Sequence, residues 1–256
     1  MSVDIPRLAM LLDDAARNAT AVAQISATET LTLEQAYEIQ RQSIERRIAR
    51  GERRIGTKMG FTSRAKMEQM GVSDLIWGRL THAMIAEDGG TISRKRFVHP
   101  RVEPEVAFLL RKPLSGIVTA PQALDAVEAI APALEIIDSR YQNFRFSLTD
   151  VVADNSSSSA LTIGPWNTPH QALDNLGMVV TVNGRPQTFG STAAIMGDPL
   201  RSLVAAARLV AMSGEVLEAG HIVMAGGATA AFELFVGMHV QLEVERLGRT
   251  SFTVAE

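Results

Sequence analysis

Apolar positions along the first fifty residues recur at helical spacing. Leu8, Leu11, Leu12, Ala15 and Ala19 fall near one face of a helix predicted over about residues 6 to 25. A second helix is marked more sharply. Thr32 is placed to cap it, Gln35 stands three residues later as in a capping box, and Ala36, Ile39, Ile44 and Ile48 carry the apolar stripe to a stop at Gly51. From about residue 91 the pattern changes to short apolar runs between turn signals. Arg101 to Leu110 and Ala133 to Arg140 read as strands, and Thr119-Ala120-Pro121 opens a helix expected to end near Pro132. Asp154 to Ser159 is a polar turn ahead of a strand at Ala160 to Gly164. Thr168-Pro169 and Asp198-Pro199 each pair a capping residue with proline, which predicts two helices, the second running through Leu203 and Val210 to Gly214. Between them Met178 to Phe189 is a hairpin turning at Asn183-Gly184, and strands follow at His221 to Gly227 and Met238 to Val244. The expected class is α+β, with a smaller helical and mixed part over 1–90 and a β-rich body over 91–256.

The chain has 256 residues, 46% of them hydrophobic, and a formal charge of −3, which removes global disorder and a general nucleic-acid-binding charge from consideration. It has no cysteine, and so no disulfide, thiolate metal site or cysteine nucleophile. The first residues lack the basic and apolar segments of a secretory signal, and no long uncharged apolar stretch occurs. A soluble cytoplasmic protein, with no membrane partner, is the expectation.

The candidate chemistry is acidic. Glu103 and Glu105 sit two apart in an extended run, so their side chains share a face. Glu135 lies among apolar residues, where a charge is costly unless compensated. Three carboxylates within about 4 Å of one another would repel by roughly 4 kcal/mol per pair at an effective dielectric near 20. A bound cation would reverse that cost, and oxygen donors without thiolates favour Mg2+ or Mn2+ over Zn2+. Spacing alone equally allows Glu103 and Glu105 on an exposed edge and Glu135 paired with Arg140.

Lys58, in Gly56-Thr57-Lys58-Met59-Gly60, lacks the order of a P-loop and by itself reads as a surface cation. Arg46, Arg47, Arg50, Arg53 and Arg54 read as a solvated helix end that complements the dipole rather than as an anion site. Met67 to Leu80 joins a short helical pattern to an apolar loop that would wall a pocket or fill the core. The five histidines show no paired metal spacing, and no Gly-x-Ser-x-Gly elbow supports a serine hydrolase.

Taken together, Gly56 to Ser63, Glu103-Pro104-Glu105, Leu134 to Arg140, Ala153 to Ser157 and Gly220 to Val223 resemble, in kind and order, the hydratase and decarboxylase branch of the fumarylacetoacetate hydrolase superfamily. The resemblance implies a mixed β-roll body with a smaller helical N-terminal part, a homo-oligomer, and a divalent metal (Mg2+ or Mn2+) held by Glu103, Glu105 and Glu135, with no organic cofactor. It places Lys58 beside the substrate and Asp154, Asn155 and Ser157 on the pocket wall. Where the hydratases of the branch carry Pro-Asp-Phe-Gly, this chain reads Leu75-Ile76-Trp77-Gly78, so that an acid has become Ile76. Ile76 and Trp77, as an apolar wall, suit loss of CO2 from a desolvated carboxylate better than activation of water. The segment is more similar to the branch's decarboxylases. The reaction so implied is conversion of 2-oxo-3-hexenedioate to 2-hydroxypenta-2,4-dienoate and CO2 in meta-cleavage of aromatic compounds, with hydration of 2-hydroxypenta-2,4-dienoate as the alternative. Arg64, Arg79 and Arg140 are candidates to meet the departing carboxylate. A complex with the hydratase acting next is also implied, and a non-catalytic scaffold for such an enzyme is the rival from another class.

Overall fold

The computed structural model describes residues 3–63 and 75–256. Helix α1 (Ile5–Asn18) buries Leu8, Ala9, Leu12 and Ala15 and ends where Ala19 turns left-handed at φ 48°, short of the expected residue 25. Helix α2 (Leu33–Ala49) has the full capping box: the Thr32 hydroxyl accepts from Gln35 N and the Gln35 carboxamide accepts from Thr32 N.

The site stands on a sheet of seven strands. Six of them are β1 (Arg54–Gly60), β2 (Ile76–Thr81), β4 (Pro100–Leu110), β5 (Val127–Asp138), β6 (Ser158–Ile163) and β9 (Ile222–Met224), in the order β2-β1-β9-β4-β5-β6; β10 (Phe232–Glu233) pairs with β4. A second sheet runs β3-β12-β11-β7-β8, from β3 (Thr91–Ser93), β7 (Gly177–Val182), β8 (Arg185–Ser191), β11 (His239–Val244) and β12 (Gly248–Ala255). Strands from before residue 90 therefore share a sheet with strands from after it. Alternation divides β4 cleanly. Val102, Val106 and Phe108 enter the main core with Leu203, Ala206 and Val210 of helix α5 (Pro199–Met212) and Val240, Leu242 and Phe252 of the second sheet; Glu103, Glu105 and Ala107 take the other face.

The hairpin turns at Asn183-Gly184, both left-handed, and Asp198 caps α5 through Leu200 N, as the sequence indicates. Two helix expectations fail. Helix α3 spans only Ala120–Asp125, and the run expected to continue it to Pro132 is strand β5, buried on both faces over most of its length. Pro132 fits there because its carbonyl accepts from Gly164 N just past the last β5–β6 pair, Ala133 with Ile163, and its missing donor falls in the gap before pairing resumes between Ile130 and Asn167. Thr168-Pro169 forms a turn, with the Thr168 hydroxyl facing His170 N and no apolar stripe long enough to bury a helix. The start of the segment Met67 to Leu80 lies outside the described residues, and its end is the buried strand β2. No helix among the described residues is long and apolar enough to cross a membrane.

Candidate active site

Register builds the acidic cluster. Glu103 of β4 is directly opposite Glu135 of β5, and Glu105 follows on the same face. All three are buried, and one carboxylate oxygen from each lies within 4.8 Å of the others. The exposed-edge reading is thus excluded, and Arg140 does not pair with Glu135. One oxygen of Glu105 accepts from Gly226 N at 2.7 Å, whereas Glu105 Oε1 and Glu135 Oε1 have no hydrogen-bond donor among the described residues. The glycines after β9 are required by close approach. A Cβ on Gly226 would overlap Thr62, and one on Gly227 would overlap the Glu103 carboxylate. The Gly226-Gly227 pair signals this crowding in the sequence, where it closes the strand expected at His221 to Gly227.

Lys58 projects from β1 onto the same face. Its Nζ lies 3.0 Å from Glu135 Oε2 as an ion pair and donates to the Ser156 carbonyl at 3.1 Å, with the side chain 3% exposed. The surface-cation reading of Lys58 is therefore wrong. Burial alone would lower its pKa, but the charges of Glu135, Glu103 and Glu105 outweigh burial and hold it above the ordinary lysine value. Burial, reinforced by Glu135 and Glu103, pushes Glu105 well above the usual carboxylate range, and burial likewise raises Glu135 against the pull of Lys58. The three carboxylates and the Lys58 ammonium, taken by themselves, sum to two negative charges when all are ionised, the charge that a divalent cation neutralises. Buried oxygens without donors, hard and closely spaced, fit Mg2+ or Mn2+.

Short helix α4 (Leu148–Ala153) delivers Asp154 and then a turn in which Asn155, Ser156 and Ser157 are consecutively left-handed, at φ 50°, 51° and 60°. Such a conformation costs about 1–2 kcal/mol for each non-glycine residue. Local bonds compensate: the Asn155 carboxamide accepts from Arg79 N at 2.7 Å and donates to Arg79 O at 2.9 Å, and the Ser156 hydroxyl donates to Trp77 O at 2.8 Å. Ser157 Oγ is buried without a partner among the described residues.

The other expected site residues are placed differently. Ile76 is opposite Gly60, on the face that carries Lys58. Trp77, opposite Met59, points to the other face, where its ring stacks on Tyr37 at 5.5 Å and under the Arg79 guanidinium at 4.4 Å. Arg79 is spent on Glu215 and Gln40, and Arg140 binds Asp154 through its backbone N and guanidinium. Asp154 is accordingly held in a buried ion pair. Arg64 lies outside the described residues. The basic cluster is not simply solvated either: Arg46 and Arg50 both bind the buried Asp13 of α1, Arg47 binds Glu52, and Arg54 binds Glu215.

The fumarylacetoacetate (FAA) hydrolase C-terminal family matches residues 48–255. A 4-oxalocrotonate decarboxylase from Pseudomonas sp is 56% identical over 249 residues, 97% of each chain, and a 2-hydroxyhexa-2,4-dienoate hydratase from Comamonas testosteroni is 33% identical, over 96% of this chain and 95% of its own. The solved 4-oxalocrotonate decarboxylase from Pseudomonas putida G7, complexed with magnesium and adipate, superposes with a TM-score of 0.95 at 34% identity, covering 98% of this chain and 97% of that one. On the family match over residues 48–255 and on these relatives, the chain belongs to the fumarylacetoacetate hydrolase family.

Proposed function

We propose that this protein is a metal-dependent carboxy-lyase that converts 2-oxo-3-hexenedioate (4-oxalocrotonate) to 2-hydroxypenta-2,4-dienoate and CO2. The observation that carries the reading is the buried trio Glu103, Glu105 and Glu135, with Lys58 ion-paired to Glu135, in a chain 56% identical to a 4-oxalocrotonate decarboxylase. Magnesium and the six-carbon dicarboxylate adipate in the solved relative support the metal and the substrate class.

Glu103, Glu105 and Glu135 would hold the divalent ion, which when bound supplies Lewis acidity to the 2-oxo acid end of the substrate. Breaking C5–C6 releases CO2, and the electron pair moves through the C3=C4 bond to the C2 oxygen, which takes up a proton. Lys58 stands where negative charge develops, and its ammonium stabilises that charge or supplies the proton. The unpartnered Ser157 hydroxyl offers a donor to a substrate oxygen, and Ile76 gives the Lys58 face an apolar residue where an acid would assist water. Asn155, Asp154 and Trp77 act behind these groups, as supports for the turn and for β2. A homo-oligomer in the cytoplasm, associated with the hydratase that consumes the dienol, completes the reading; exposed Met212, Phe235 and Val236 supply apolar surface for assembly.

The test is to give purified, Mg2+-loaded protein each of the two substrates in turn. CO2 release from 2-oxo-3-hexenedioate is expected. Formation of 4-hydroxy-2-oxopentanoate from 2-hydroxypenta-2,4-dienoate without decarboxylation would make it a hydratase, and turnover of neither, with binding to the hydratase, would make it a scaffold. Sedimentation and co-purification with that hydratase test the assembly.

A further inference from the structure

Asn155 makes no use of its side chain toward the acidic cluster. Both polar atoms of its carboxamide are committed to one residue of the edge strand β2, accepting from Arg79 N and donating to Arg79 O. The next residue repeats the attachment, with the Ser156 hydroxyl on Trp77 O and the Ser156 carbonyl on Lys58 Nζ. Between these two anchoring points lies Gly78, opposite Lys58 in the β1–β2 register, and any Cβ there would overlap the Asn155 carbonyl. The turn is thus docked on the strand that neighbours the one bearing Lys58, with the Asn155 carbonyl against Gly78 and the Asn155 and Ser156 side chains on the β2 backbone. It is also strained, since three consecutive non-glycine residues are left-handed, and that shape persists only where surrounding bonds over-determine it.

We propose that Asn155 is a positioning residue for the decarboxylation: its carboxamide, bound to the Arg79 backbone beside Gly78, clamps the strained turn to β2 and so fixes the Ser156 carbonyl on Lys58 and the position of the Ser157 hydroxyl. The proposal rests on the role given to Lys58 above. Asn155 and Gly78 act as one device, because a methyl group on Gly78 lifts the same turn that the carboxamide holds down. The metal-binding carboxylates stand on β4 and β5 and are not part of the clamp.

Asn155→Gly separates clamping from strain, since glycine accepts a left-handed φ freely and only the carboxamide is lost. In Mg2+-loaded protein its kcat is expected to fall at least about tenfold, with KM changed by less than about threefold, the pattern of a group that acts in the transition state. Mg2+ affinity, measured by calorimetry, is expected within about twofold of wild type, and hydrogen exchange at the Arg79 amide, which loses its acceptor, is expected to rise about tenfold or more. Gly78→Ala should reproduce the kcat loss, and the double variant should be no worse than about twofold below the poorer single one, because the two changes break one interaction. Wild-type kcat in Asn155→Gly, a loss of Mg2+ affinity that parallels kcat, or full additivity of the two substitutions would overturn the proposal. If Asn155→Gly does not fold, Gly78→Ala and Ser156→Ala decide: reduced kcat with unchanged Mg2+ affinity in both supports the clamp, and wild-type kcat in both rejects it. Lys58→Ala is run beside them. Full activity in that variant would remove the reading of Lys58 itself, whereas an inactive Lys58→Ala beside a fully active Asn155→Gly removes only the clamp.

Discussion

Two buried acidic centres in this chain are built on opposite terms. Asp13, on α1, is buried with both carboxylate oxygens bound by Arg50 and one also by Arg46. Burial works against its charge, but Arg50 and Arg46 outweigh it and hold Asp13 below the ordinary carboxylate range. The trio of Glu103, Glu105 and Glu135 has Lys58 paired with Glu135, oxygens of Glu105 and Glu135 without donors among the described residues, and two members pushed upward. A buried acid with its partners in place fastens two helices together. Buried acids crowded onto one face, with carboxylate oxygens that accept no hydrogen bond among the described residues, mark a site suited to a cationic ligand.

The contrast is sharpest under substitution. Glu135→Gln should lower the decarboxylation rate by about a thousandfold or more, since it removes a metal donor and the partner of Lys58, and a stopped assay of CO2 release would show it. Yet in metal-free protein Glu105→Gln should leave the melting temperature unchanged or raised, because the burial cost of its charge and the repulsion from Glu135 and Glu103 are relieved. Lys58→Ala should cost about 100-fold in kcat, the scale of a lost proton donor or charge stabiliser.

Asp13→Asn carries the opposite sign in stability. At neutral pH it should destabilise by about 1–3 kcal/mol, less than a fully buried pair because Arg46 and Arg50 can rehydrate. Asp13 has a lowered folded pKa, so its contribution is complete above the unfolded value and is lost as pH falls through the folded one; the gap between wild type and Asp13→Asn should therefore close in acid, as read by melting at stepped pH. For Glu105 in metal-free protein the order reverses. Its raised pKa gives a contribution complete below the unfolded value and lost as pH rises through the folded one. The smallest effect belongs to the exposed side of α2, where Arg41→Ala, breaking pairs with Glu38 and Glu45, should change stability by about 0.5 kcal/mol or less.

What could be read from residue order was whatever depends on near neighbours. The Thr32–Gln35 box, the Asn183-Gly184 hairpin and the shared face of Glu103 and Glu105 each follow from a few adjacent residues, and each is present. The Glu135 partnership needed the family resemblance, because a one-residue slip of β5 against β4 would have turned it to the other face. Helical signals misled at Pro132 and at Thr168-Pro169, where a sheet already in place and a short turn overrode the local preference. Trp77 and Asn155 show the remaining limit. Strand parity sends Trp77 behind the sheet, and Asn155 meets Arg79 across 76 residues, a contact that nothing near either residue announces. Asp13 likewise shows no sign in its own helix of Arg46 on α2 and Arg50 at the α2 C-cap, which bind it.

The most direct test is to strip the protein of metal and follow CO2 release from 2-oxo-3-hexenedioate while Mg2+ is titrated back. No release from the stripped protein is expected, with activity rising to saturation at one ion per chain and no such rise in Glu135→Gln. Full release before any ion is added would contradict the assignment of the acidic trio as the centre of the chemistry.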